Sequence, residues 1–335
     1  MPSGNGPALP SRLMPADRTQ PPEPTGAPAP SFGGLWVPLV TPFRAGSVDH
    51  PAAARLVTRL LEDGAAGIVL CGSTGEAAAL DEREQLALLD QLLAAVPAAR
   101  IVMGVAGNHL PSVLARVRAL GERPLAGLLV SAPGYVRPAQ DGLLAWFCAI
   151  ADASAVPLLL YDIPARTGAH IARETLLALA AHPRIHGIKD CGGDLAKTLA
   201  LVADGRLQVL AGEDLQLFGT IASGGVGAIT ASAHCFTPAF VELIACLRAG
   251  ELGIARTLFL RLVPWIEAMF AEPNPAPVKA ALAAEGVIDA SLRLPLTPAS
   301  AALAARIALL RGPHLQGRLP QPGPALAPLD RGPDR

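Results

Sequence analysis

Lys189 closes the apolar run Ile185-His186-Gly187-Ile188, and 28 positions earlier Tyr161 closes another, Val156-Pro157-Leu158-Leu159-Leu160. The interval matches one strand–helix–strand unit of roughly 30 residues. Such a unit sets an amine beside a phenol at the carboxyl ends of two parallel strands, where α/β enzymes carry their chemistry. An amine in a mostly apolar setting is expected to shed its proton more readily than in water and to attack a carbonyl. The pattern outlines a Schiff-base enzyme. The chain has only three lysines (Lys189, Lys197 and Lys279) and only two tyrosines (Tyr135 and Tyr161), so neither residue is a casual occupant of its strand end.

Other segments could serve the same chemistry. Cys71-Gly72-Ser73-Thr74-Gly75-Glu76 offers backbone N–H groups and two hydroxyls between glycines, a nest suited to a carboxylate. The competing reading is a tight turn that caps a helix. No Gly-Lys-Ser/Thr follows, so it is not a nucleotide loop. Arg166, shortly after Pro164 and beside the Tyr161 strand end, could grip a second carboxylate through both guanidinium arms. Tyr135 lies in Ser131-Ala132-Pro133-Gly134-Tyr135, where it could equally be a packed loop aromatic. Gly224 to Thr230, which includes Ile229, could turn backbone carbonyls toward a ligand. His182 and His186 are four apart, but Pro183 breaks the helical metal spacing, and His234 has no partner at such spacing. No metal is expected.

Positioning these groups requires strands at Leu35–Val40, Gly67–Cys71, Ile101–Gly104, Gly127–Val130, Val156–Tyr161, Ile185–Lys189, Leu207–Leu210 and Val226–Ile229. Each is followed by an alanine- and leucine-rich helical stretch, and their continuous apolarity means that both faces are covered. Eight βα units predict an α/β fold, a closed (β/α)8 TIM barrel, over residues 31–250. Residues 251–312 read as a C-terminal helical extension. The Pro/Gly-rich flanks 1–30 and 313–335 are expected to be disordered.

A net charge of −1 without a basic cluster argues against nucleic acid or an anionic membrane as partner. Five cysteines with no Cys-x-x-Cys pair suit a reducing cytoplasm. The longest uncharged stretch, roughly Leu215 to Val241, is interrupted by glycines and Pro238 and does not read as a membrane span.

Taken together, Gly72–Glu76, Tyr135 with Arg137-Pro138, Tyr161–Gly168, Gly187–Asp190 and Gly212 through Thr230 resemble the dihydrodipicolinate synthase / N-acetylneuraminate lyase family of pyruvate-dependent class I aldolases, over residues 33–311. Arg166, Glu272–Lys279 and Leu292–Pro298 are similar to the synthase branch. The resemblance implies a (β/α)8 barrel, usually a homo-oligomer (tetramer or dimer), with small-molecule substrates and no dissociable cofactor. Lys189 would form an imine with pyruvate, whose carboxylate rests on Ser73 and Thr74, in a pocket that includes Gly212 and Ile229. The enamine would attack L-aspartate 4-semialdehyde, held by Arg166, to give 4-hydroxy-tetrahydrodipicolinate. Tyr161, Ser73 and a Tyr135 reaching in from a neighbouring subunit would relay protons.

The alternatives within the same chemistry are another 2-keto-acid aldolase or a sugar-acid dehydratase. Outside it stands a retired barrel that only binds. Against the family pattern, Ser73 stands for a threonine, Asp162 for an asparagine and Gly192 for a threonine. Gln85, Ser112 and Gly134 replace the histidine, glutamate and tyrosine with which lysine-inhibited members bind their inhibitor, which implies weak or absent lysine inhibition.

Overall fold

A computed structural model describes residues 30–311; the expected disordered flanks lie outside this range, apart from its first residue. Eight strands form one closed parallel barrel in sequential order. They are β1 (Gly34–Pro38), β2 (Gly67–Leu70), β3 (Ile101–Val105), β4 (Gly127–Ser131), β5 (Leu158–Asp162), β6 (Ile185–Asp190), β7 (Gln208–Ala211) and β8 (Gly227–Ile229). A helix follows each, as the alternation of sequence patterns predicts. β5 starts later than expected because Pro157 has no N–H to give to the ladder, although its carbonyl still accepts from Leu128 N at 2.8 Å.

Alternation along the strands sorts side chains into two layers. Inward-facing Trp36, Val69, Val102, Leu129, Leu159, Leu210 and Ile229 fill the lumen with Phe32. Trp36 passes under β2 where Gly67 has no side chain; a Cβ there would collide with the indole. Outward-facing residues such as Leu158, Leu160 and Ile188 pack against the helix ring.

Local signals set the helices. Asp49 caps His50–Glu62 by accepting from Ala52 N, and that helix buries Ala52, Ala53, Leu56, Val57 and Leu60 on one face. Asp81 and Glu84 form a capping box at the start of Glu82–Ala95. Beyond the barrel, helix Leu252–Met269 packs on the helices that follow β7 and β8, Ala276–Ala284 on the turn after β8, and Ala301–Leu310 on both Leu252–Met269 and Ala276–Ala284. Trp265, wholly buried, donates from its indole to Ser232 O at 3.0 Å and so ties this segment to the loop after β8. No helix among the described residues is long and apolar enough to cross a membrane.

Candidate active site

The register between β5 and β6 brings together the two candidate reacting groups. Leu158 pairs with Ile185, but Leu159 pairs with Gly187, so His186 is an extra residue that bulges out of the ladder. From there on Tyr161 lies opposite Lys189 and Asp162 opposite Asp190. Lys189 Nζ donates to Tyr161 Oη at 3.3 Å, with the ammonium 4.5 Å from the ring centroid. Both side chains are buried, at 6% and 7% exposure.

A cavity of about 340 Å³ opens above them, and Lys189, Tyr161, Ser73, Thr74, Arg166, Gly212 and Ile229 all line it. Tyr135 does not. It is 92% exposed and adopts a left-handed φ of 70°, unfavourable for a bulky side chain. Its N–H donates to Thr167 O at 2.9 Å, which fixes the Tyr135 loop to the turn that carries Arg166.

The Ser73–Thr74 segment is a turn rather than a helix cap, since the next α-helix is capped by Asp81. Thr41 Oγ1 donates to Gly75 O at 2.7 Å, and a Cβ on Gly75 would sit 2.9 Å from Leu39 O. Glu76 follows with a φ of 52° and turns its carboxylate away from the cavity to Lys279 Nζ, 2.5 Å away and wholly buried. Gly212 is required for a similar steric reason: a Cβ there would run into Cys191 Sγ and lie 2.9 Å from the Lys189 side chain. Arg166 sits in the short helix Pro164–Thr167, capped by Gly168 in the left-handed region.

The electrostatics correct one expectation. Burial does press the Lys189 amine toward losing its proton, but Tyr161, Cys191 and Asp214 favour the charged form, and the pKa stands above its ordinary value. The lowering expected from an apolar strand does not survive the polar neighbours. Burial pushes the Tyr161 phenol up, opposed by Lys189 and by a hydrogen bond with Ser73.

Several lining residues had no role assigned from the sequence, among them Asp214, Asn274 and Phe270. Asp214 is buried beside Gly212, where burial pushes it up to about 6 against hydrogen bonds from Ser232 N–H and Oγ–H. Its position one residue past Gly212-Glu213, at a strand's carboxyl end, was the available signal. Asn274 lies in the Glu272–Lys279 stretch that carries the resemblance, though without a role there, and Phe270 had no signal. Of the histidines, His234 is fully buried and neutral: Nδ1–H donates to Ala231 O and Nε2 accepts from Val40 N, and burial pulls its pKa down to about 4. Among the described residues no three acidic, histidine or cysteine side chains are grouped to hold a metal.

The model for the dihydrodipicolinate synthetase family matches residues 31–308. The 4-hydroxy-tetrahydrodipicolinate synthase of Trichlorobacter lovleyi is 38% identical over 283 residues, 82% of this chain and 96% of that protein. The solved structure of the 4-hydroxy-tetrahydrodipicolinate synthase of Methylacidiphilum fumariolicum SolV superposes with a TM-score of 0.82 at 31% identity, covering 85% of this chain and 96% of that one. The chloride-inhibited dihydrodipicolinate synthase of Acinetobacter baumannii, solved with pyruvate, gives a TM-score of 0.80 at 32% identity, covering 84% and 98%.

Proposed function

The chain belongs to the dihydrodipicolinate synthetase family, and from that premise we propose that it is a lyase condensing pyruvate with L-aspartate 4-semialdehyde through an imine on Lys189. The observation that carries this reading is the Lys189–Tyr161 pair, 3.3 Å apart at the base of the cavity edged by the Ser73–Thr74 turn. The curated relatives' names support the same substrates, and the structure solved with pyruvate supports the donor.

In this reading the pyruvate carboxylate rests on Ser73 and Thr74. The Lys189 amine adds to the ketone carbon, and the ketone oxygen leaves as water. Tyr161 gives the departing oxygen its proton and then, as the phenolate, takes one from the methyl group of the iminium, leaving an enamine. Its carbon bonds to the aldehyde carbon of the acceptor, and the aldehyde oxygen takes a proton to become the hydroxyl. The acceptor's own amine then displaces Lys189 Nζ at the imine carbon, closing the ring and freeing the lysine. Arg166 at the cavity mouth holds the acceptor's carboxylate. A buried phenol with a raised pKa needs an outlet, and Ser73 provides the first step of one. Exposed, backbone-strained Tyr135 supplies the next from a second copy, so the working form is a homo-oligomer. Five free thiols suit a cytoplasmic setting.

The test is to reduce the protein with borohydride in the presence of pyruvate and map the adduct by mass spectrometry. A tag on Lys189, absent in Lys189→Ala, supports the reading. A tag on Lys197 or Lys279, or none, sinks it.

A further inference from the structure

On the far side of the sheet from the cavity lies a second lysine. Tyr161 and Lys189 point inward, so the residues that follow them, Asp162 and Asp190, point outward at paired positions of β5 and β6. Lys197, on helix Leu195–Asp204, inserts its ammonium between the two carboxylates, 2.5 Å from Asp162 Oδ2 and 3.0 Å from Asp190 Oδ1. All three are buried, at 1%, 0% and 4% exposure.

The remaining carboxylate capacity is used by Ile171 N to Asp162 Oδ1, Gly192 N to Asp190 Oδ1 and Thr198 Oγ1 to Asp190 Oδ2. His170 Nδ1, half-exposed, stands 4.0 Å from Asp162 Oδ2. The ammonium occupies the place that a side chain at position 192 would take: a Cβ on Gly192 would fall on Lys197 Nζ and lie 2.9 Å from Asp162 Oδ2. Each carboxylate is one residue from a member of the reacting pair, and a single ammonium joins them.

We propose that Lys197 is a positioning residue, a cross-strand clamp that holds the ends of β5 and β6 at the spacing that sets Lys189 against Tyr161. It touches no substrate and acts only through that pair. The proposal rests on the Schiff-base reading above. An ammonium shared by two strand-end carboxylates resists the shear that would slide Tyr161 past Lys189, and reacting groups displaced by about 1 Å can lose on the order of a hundredfold in rate.

The decisive variant of the full-length chain is the double substitution Lys197→Met with Asp162→Asn. It keeps the triad's net charge at −1 and its packing but removes the bridge. The measurements are the rate of borohydride-trapped adduct formation with pyruvate, the steady-state kcat and KM, and thermal melting. The clamp requires adduct formation and kcat to fall at least about tenfold. The pyruvate KM should stay within about twofold, because the carboxylate site lies on another strand. Gly192→Ala, which evicts the ammonium and changes no charge, should do the same.

Wild-type adduct rate and kcat in a folded double variant would overturn the clamp. If that variant does not fold, Asp162→Asn alone decides, since it removes one arm isosterically: an unaltered adduct rate overturns the clamp, and a lowered rate at constant KM supports it. Failure of the unaltered protein to form any adduct counts instead against the Schiff-base reading.

Discussion

Thr74 Oγ1 accepts a hydrogen bond from Asn274 Nδ2 at 2.8 Å, across 200 positions of the chain. A hydroxyl that accepts there keeps its own proton free to donate. The C-terminal segment therefore aims Thr74 at the place where a carboxylate would rest. Asn274→Ala is expected to raise the pyruvate KM about five- to tenfold, the worth of about one hydrogen bond. Steady-state kinetics check it, and an unchanged KM would remove Asn274 from the site.

Because the Lys189 pKa stands above its ordinary value, most of the amine is protonated near neutrality. Only the free amine attacks a ketone, so the initial rate of adduct formation should climb with pH across the neutral range. Stopped-time borohydride trapping between pH 6 and 9 measures this. A flat profile would mean that the amine is already unprotonated.

Asp214 and His234 make opposite contributions to acid stability. Asp214, near 6 when folded against 3.8, favours the folded state as pH falls through that interval. His234, near 4 against 6.5, disfavours it over almost the same interval, each by about 3 kcal/mol. His234→Gln should flatten the loss of stability on acidification, whereas Asp214→Asn should steepen it. Denaturant midpoints at pH 4.5, 6 and 8 would show this. Parallel pH profiles for both variants and the parent would refute it.

Glu76 and Lys279 form a wholly buried ion pair that joins the Ser73–Thr74 turn to the C-terminal segment. Lys279 also donates to Ser291 O at 2.8 Å and lies 4.2 Å above the Phe43 ring. Lys279→Met strands a carboxylate and should cost about 3–5 kcal/mol, much of it recovered in Glu76→Gln/Lys279→Met. Equilibrium unfolding of the single and double variants gives the comparison.

A second cavity, of about 370 Å³, flanks Ser73 and runs between Ala77, Ala78, Asn108 and Gly134 without an acidic lining residue. Gln85 is turned away, donating to Ala77 O and Leu80 O, and Ser112 pairs with His109 Nδ1. With no carboxylate to meet an ammonium, free lysine at millimolar concentration should leave activity unchanged. Strong inhibition at sub-millimolar lysine would contradict this.

The amino-acid sequence determined the barrel and singled out Lys189 and Tyr161 as the candidate reacting groups. Continuous apolar runs closed by polar residues specify buried parallel strands and place those residues at the mouth, whatever the neighbouring elements do. The fate of the other two lysines was not legible, because each is buried by partners that a linear pattern does not join: Lys197 by two strand ends, Lys279 by a turn 203 residues upstream. Nor could the strand runs show that His186 bulges, although that one residue decides whether Lys189 or Ile188 faces Tyr161. Composition and period report which side chains are buried; register, and the meeting of Asn274 with Thr74, depend on how distant segments share space, and only the closed tertiary structure settles that.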